Sequence, residues 1–198
     1  MSHPANAEID PKRARVLEGA MRVFLSYGFS RTTMDDIARA AEMSRPALYL
    51  LFRNKSDIFR AIATAMLDQS AETTREELEA EGPFAERMMA AIDKSFIAMM
   101  EQISGSAHGA ELLDMKNSLA CDIAGSWRDG MRQHIAGAIG REAKRGGVDL
   151  PSQGLSADGL ANLLLDGLEG VKSRIVTPGE QREAARCLVR TIERAIRA

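Results

Sequence analysis

Residues 24–59, FLSYGFSRTTMDDIARAAEMSRPALYLLFRNKSDIF, decide the fold of this chain. The stretch predicts a short helix, a tight turn and a second short helix, followed at once by a lysine and the start of a long helix. Thr32 or Thr33 supplies an N-cap oxygen, and Asp35 and Asp36 put negative charge in the positive first turn. Met34, Ile37, Ala38 and Ala41 then recur at i, i+3, i+4 and i+7, a single apolar stripe. Glu42-Met43-Ser44 breaks the pattern. Ser44 is a second N-cap, and Pro46 is tolerated in a first turn, where its missing N–H would be unpaired anyway. Leu48, Leu51 and Phe52 form the inward side of the second helix. Arg45, Ala47 and Tyr49 are left pointing outward near its N-terminus.

This is a helix-turn-helix pattern, and recognition helices of that kind touch base edges with their N-terminal residues. Arg45 can reach both acceptors of a guanine edge, and Ala47 can pack on a thymine methyl. Tyr49 and Lys55 can bond phosphate, as can backbone N–H groups at helix starts near Thr33 and Ser56. The expected DNA-contacting set is Thr33, Ser44, Arg45, Pro46, Ala47, Tyr49 and Lys55. A plain three-helix packing unit with a solvated Arg and Tyr would satisfy the short motif equally well.

The wider pattern separates the two readings. A first helix from about Pro11 to Tyr27 is followed by Gly28-Phe29, Thr32-Thr33, Ile37-Ala38, Ser44-Arg45-Pro46-Ala47-Leu48-Tyr49, Phe52 and Asn54-Lys55. That order, without gaps, closely resembles the N-terminal domain of the tetracycline-repressor (TetR) family. The family often carries His or another aromatic or polar residue in the two positions after the tyrosine, where this chain has Leu50 and Leu51. Leu51 suits a core, and Leu50 replaces a polar phosphate contact with an apolar side chain.

The resemblance implies an all-α chain with a DNA-binding domain over residues 1–57 and a helical effector-binding and dimerisation domain over 58–198. It also implies a ligand-responsive transcriptional regulator, a repressor by default, that binds a palindromic operator on double-stranded DNA as a homodimer. A small, largely apolar effector would release it. A transcriptional activator of the same fold is the alternative, and a helical metal- or partner-binding protein is a further one.

Length and composition agree with a folded two-domain chain: 198 residues, 45% hydrophobic and 27% charged. The net charge of −2 does not suggest a nucleic-acid binder until the chain is divided. Residues 1–60 hold ten Lys/Arg against seven Asp/Glu, and residues 61–198 hold sixteen against twenty-one. Positive charge lies where DNA is expected. There is no secretory segment or long apolar run, so a cytoplasmic location without membrane contact is expected. Cys121 and Cys187 are expected to be buried or partly buried thiols, with a redox-sensing pair as the other reading.

The remaining chain reads as helices: about 56–80, 84–102, 109–118, 121–145, 156–176 and 179–197. On the last two, Leu160, Leu164, Gly167, Leu168 and Val171, with Leu188, Val189, Ile192 and Ile196, form apolar faces. These are the expected dimer interface, since the resembled family pairs these helices into a four-helix bundle. The same stripes could instead close the core of one protomer. Gly167 is easier to understand if another helix approaches closely. In the middle helices Phe96, Met99, Met100, Leu112, Met115, Trp127, Met131 and His134 are the expected ligand-pocket residues. A Met-rich core with a satisfied histidine is the bland reading. No Gly-rich phosphate loop, nucleophile elbow or Cys cluster occurs, so neither an enzyme nor a bound cofactor is expected. His108 and Glu111, at i and i+3, lack a third ligand nearby, so no metal is expected.

Overall fold

The computed structural model describes residues 10–174 and 177–197, without the side chains of residues 115–117. Among the described residues every regular element is helical. In chain order these are α1 (Pro11–Tyr27), α2 (Met34–Ala40), α3 (Arg45–Leu51), α4 (Lys55–Glu79), α5 (Phe84–Ile92), a π-helical turn (Asp93–Ile97), α6 (Ala98–Ser104), α7 (Gly109–Leu119), α8 (Cys121–Arg145), a 3-10 turn (Pro151–Gln153), α9 (Ala157–Arg174) and α10 (Pro178–Ala195). Residues 175 and 176, the end of the helix expected over 156–176, lie outside the described residues.

The chain forms two compact units. The first comprises residues through Met66 together with Gln102–Ile123, and the second comprises Leu67–Glu101 with the chain from Ala124 onward. Helix α4 runs through both. The boundary expected at 57/58 falls in the first turn of α4, and α7 groups with the helix-turn-helix although it follows α4 to α6 in sequence.

The first unit is built on apolar faces of short helices. Phe24, Phe29 and Phe59 meet with ring centroids 5.3–6.2 Å apart. Ile37, Leu48 and Ile58 are fully buried beside them. Gly19 lets α1 cross α2 closely, since a Cβ there would stand 2.9 Å from the backbone of Ala40 and Ala41. Two arginines of α1 cap the neighbouring helices. Arg22 donates to Ala40 O at 2.9 Å, and Arg13 donates to Leu51 O at 3.1 Å while stacking on the Phe52 ring. These contacts hold two seven-residue helices that are too short to persist alone.

The second unit packs around Phe84, Met88, Ile97, Ile139, Leu164 and Ile196, all essentially inaccessible. The helix expected over 84–102 is interrupted by the π-helical turn. Buried Ser95 donates its hydroxyl to Ala91 O at 2.5 Å and accepts from Thr74 Oγ1 at 2.9 Å, and the Ala98 N–H bonds back five residues to Asp93 O. A hydroxyl competing for the helix carbonyls widens the turn there. Arg182 of α10 grips the segment by donating to Asp93 Oδ1 at 2.5 Å and to both carboxylate oxygens of Glu101 at 3.1–3.2 Å.

Candidate nucleic-acid interface and ligand cavity

The helix-turn-helix forms as the cap residues require. Thr33 Oγ1 accepts the Asp36 N–H at 3.2 Å, while the Thr33 N–H and hydroxyl donate to Asp36 Oδ2 at 3.0 and 2.6 Å. The hydroxyl bond, then the backbone bond, and more weakly Arg39 hold the Asp36 carboxyl below its ordinary range. Glu42 takes φ +55° in the turn. Ser44 caps α3 through the Ala47 N–H at 3.4 Å.

At the start of α3, Arg45 and Pro46 are exposed, Ala47 is half-buried, and Tyr49 is 48% exposed. Leu50 is 87% exposed, so this apolar side chain stands on the open face of α3, while Leu51 packs on the core. Arg45 is not free: its Nε forms an ion pair with Asp35 Oδ1 of α2. The guanidinium is exposed and Asp35 half-buried, so the pair orients Arg45 while leaving its guanidinium open to solvent.

Lys55 takes a different role from the one expected. Its Nζ donates to Phe29 O at 2.8 Å, Thr32 O at 3.0 Å and Ser30 O at 3.1 Å, and lies 4.7 Å from the Phe29 ring centroid. An ammonium has three donors, and all three point inward. Lys55 therefore ties down the α1–α2 turn, leaving no N–H for a phosphate. Gly28 opens that turn at φ +83°, and Thr32 donates to its carbonyl at 2.6 Å. Glu111 of α7 accepts the Ser30 N–H at 2.8 Å, which holds its carboxyl below the usual range. His108 Nδ1 lies 3.9 Å from the other Glu111 oxygen.

The second unit contains a small apolar cavity of about 20 Å³. Of the residues expected at a ligand pocket, Phe96, Trp127 and Met131 line this cavity, together with Met88, Ile135, Leu165 and Leu168. Thr74 and Ser95 also line it. Sequence reading passed over these two, although Thr74 follows Leu67 by seven residues and precedes Leu78 by four, on the buried stripe of α4. The other expected pocket residues lie elsewhere. Leu112 belongs to the core of the first unit. Met99 is half-buried, Met100 is buried, and neither lines the cavity. His134 is half-buried near Glu72, a carboxylate held low chiefly by Arg75. The Met115 side chain lies outside the described residues.

The expected dimer residues are largely internal. Leu160, Leu164, Leu168, Val171, Val189, Ile192 and Ile196 are buried within the protomer itself. Gly167 does allow a close approach, but by α10 of the same chain: a Cβ there would meet Leu188 Cδ1 at 2.7 Å. The outward side of α9 carries Leu163, 53% exposed, and that of α10 carries Cys187. Both cysteines are free and exposed, contrary to expectation, because each sits on the solvent side of its helix. No described helix is long and apolar enough to cross a membrane.

Comparison with known proteins places these features. Residues 16–62 match the family model for bacterial regulatory proteins of the tetR family. Over 84 residues the chain is 33% identical to the uncharacterized HTH-type transcriptional regulator YhgD of Bacillus subtilis, covering 42% of this chain and 44% of that protein. Over 62 residues it is 37% identical to the HTH-type transcriptional regulator AcrR of Shigella flexneri, covering 31% and 29%. The chain thus matches less than half the length of these curated relatives. The fold extends further. SmeT, the repressor of the Stenotrophomonas maltophilia multidrug efflux pump SmeDEF, superposes with a TM-score of 0.67 at 18% identity, covering 92% of this chain and 89% of that one. Residues 16–62 thus form a helix-turn-helix domain like that of the bacterial regulatory proteins of the tetR family, and the chain as a whole shares the fold of SmeT.

Proposed function

We propose that this protein is a cytoplasmic, ligand-responsive repressor that binds a two-fold symmetric operator as a homodimer and leaves it when a small apolar effector occupies the second unit. The observation that carries this reading is the start of α3. There Arg45, Tyr49 and Leu50 stand exposed together on a short helix fixed by a Ser44 cap and by Arg13 at its far end. An exposed Leu50 is poorly placed for a solvated surface, but it suits a groove lined with thymine methyls. Two copies are needed because one such helix covers only a half-site. The outward faces of α9 and α10, with Leu163 and Cys187, are the proposed contact between copies. The likeness to SmeT, named a repressor, supports the direction of control.

The test is a titration of duplex fragments that tile the region upstream of the coding sequence, at several salt concentrations. Tight binding to one fragment, falling steeply with salt, supports the reading. Equal, weak binding to every fragment refutes it.

A further inference from the structure

We propose that the cavity in the second unit receives an uncharged, mainly apolar small molecule that presents a hydrogen-bond acceptor, such as a carbonyl or ether oxygen, to the indole N–H of Trp127. This rests on the ligand-responsive reading above and names the chemistry of its ligand. Trp127 lines the cavity, and its Nε1 is buried with no hydrogen-bond partner among the described residues. A buried donor left unpaired is costly, and groups of this kind in folded proteins call for a reason. The other polar groups at the cavity are already engaged. Thr74 donates to Ser95 Oγ, and Ser95 donates to Ala91 O. The polar group at the cavity wall that still lacks a partner is therefore the Trp127 indole, and what it lacks is an acceptor.

The lining also excludes charge. Besides the two hydroxyls and the indole it is aliphatic, aromatic or thioether, with no Asp, Glu, Lys, Arg or His among its residues. An ionised ligand would lose its hydration there and gain no counter-ion. A volume of about 20 Å³ holds little more than one water, so the ligand must open the site. Met88 and Met131 are the side chains that can yield, being unbranched and flexible. Ser95 and Phe96 reach the cavity from the π-helical turn, where the backbone ladder is already shifted by one residue.

Trp127 is the only tryptophan, so the protein has a single indole N–H resonance. Two matched pairs of probes differ only by a carbonyl: acetophenone against isopropylbenzene, and 2-acetonaphthone against 2-isopropylnaphthalene. Binding is followed on methionine methyl resonances, and hydrogen bonding on the indole proton. We expect at least one ketone to move the indole proton downfield and to bind roughly threefold to tenfold more tightly than its hydrocarbon partner. Benzoate should not bind. Trp127→Phe, which keeps an aromatic ring and removes the N–H, should retain hydrocarbon binding and lose the ketone preference. Ketones that leave the indole proton unmoved, equal affinities within both pairs, or a preference that survives in Trp127→Phe would overturn the proposal. None of these measurements contains DNA. An effector that releases operator while leaving the indole proton unmoved would overturn this assignment and leave the repressor reading standing.

Discussion

The backbone N–H of Ser30 donates to Oε1 of Glu111 at 2.8 Å, across 81 residues of chain. The bond joins α7 to the turn between α1 and α2, which Lys55 also fastens. A charge-assisted bond to a half-exposed carboxylate contributes about 1 kcal/mol. Glu111→Ala should lower the stability of the first unit by that order and speed amide exchange at Ser30. Unchanged Ser30 exchange in that variant would show that α7 does not secure the turn.

Acid should loosen the first unit before neutral conditions do. Asp122 is held down to about 2 from an ordinary 3.8, first by its hydrogen bond from Arg60. Asp36 and Glu111 are lowered as well. A depressed folded-state value means that the contribution is complete above the unfolded value and is lost as pH falls through the folded one. Stability should therefore decline from roughly pH 4.5 down to pH 2. Asp122→Asn should flatten the lower part of that decline. An unaltered acid limb in Asp122→Asn denies the Arg60 pair any part in it.

For Lys55, the prediction separates holding a turn from binding a phosphate. Lys55→Met should destabilise the folded protein by about 1–3 kcal/mol, because the half-buried bonds to the Phe29 and Thr32 carbonyls and the exposed one to Ser30 lose their donor. The slope of log affinity for duplex DNA against log salt should stay the same. A slope reduced by about 1 would instead mark Lys55 as a phosphate contact.

The internal burial of α9 and α10 changes how assembly must be tested. Leu164 and Val189 are buried in the protomer, so a charge there would unfold it rather than separate copies. Leu163→Glu is the informative change, because Leu163 is already exposed in the protomer. Its thermal midpoint should hold while sedimentation shifts towards monomer and operator affinity falls. A variant that sediments and binds like wild type would remove this face from the proposed interface.

The helix-turn-helix was legible because its signals are local. Thr33, Ser44 and Pro46 mark helix starts by their own chemistry, and Met34, Ile37, Ala38 and Ala41 show one face whatever packs on it. What stayed hidden depends on partners distant in sequence. An apolar stripe such as Leu160–Leu164–Leu168 says that it is buried but not against which helix, and here the answer is its own protomer. Leu112 is a large apolar residue of the middle helices like the others expected at the pocket, yet α7 joins the first unit. The inward turn of Lys55 depends on three carbonyls presented by an irregular loop. The π-helical turn follows from Ser95, whose buried partner Thr74 lies 21 residues earlier. No periodicity displays either.

The central claim is that α3 reads bases through Arg45, which waits in an ion pair with Asp35. The direct measurement compares wild type with Arg45→Ala on the cognate duplex, on duplexes changed at single base pairs, and on unrelated duplex at the same salt. The account predicts a loss of about 1–3 kcal/mol on the cognate site, relaxed preference at one base pair in each half-site, and little change on unrelated DNA. Equal losses on cognate and unrelated duplex, with the base preferences intact, would contradict it.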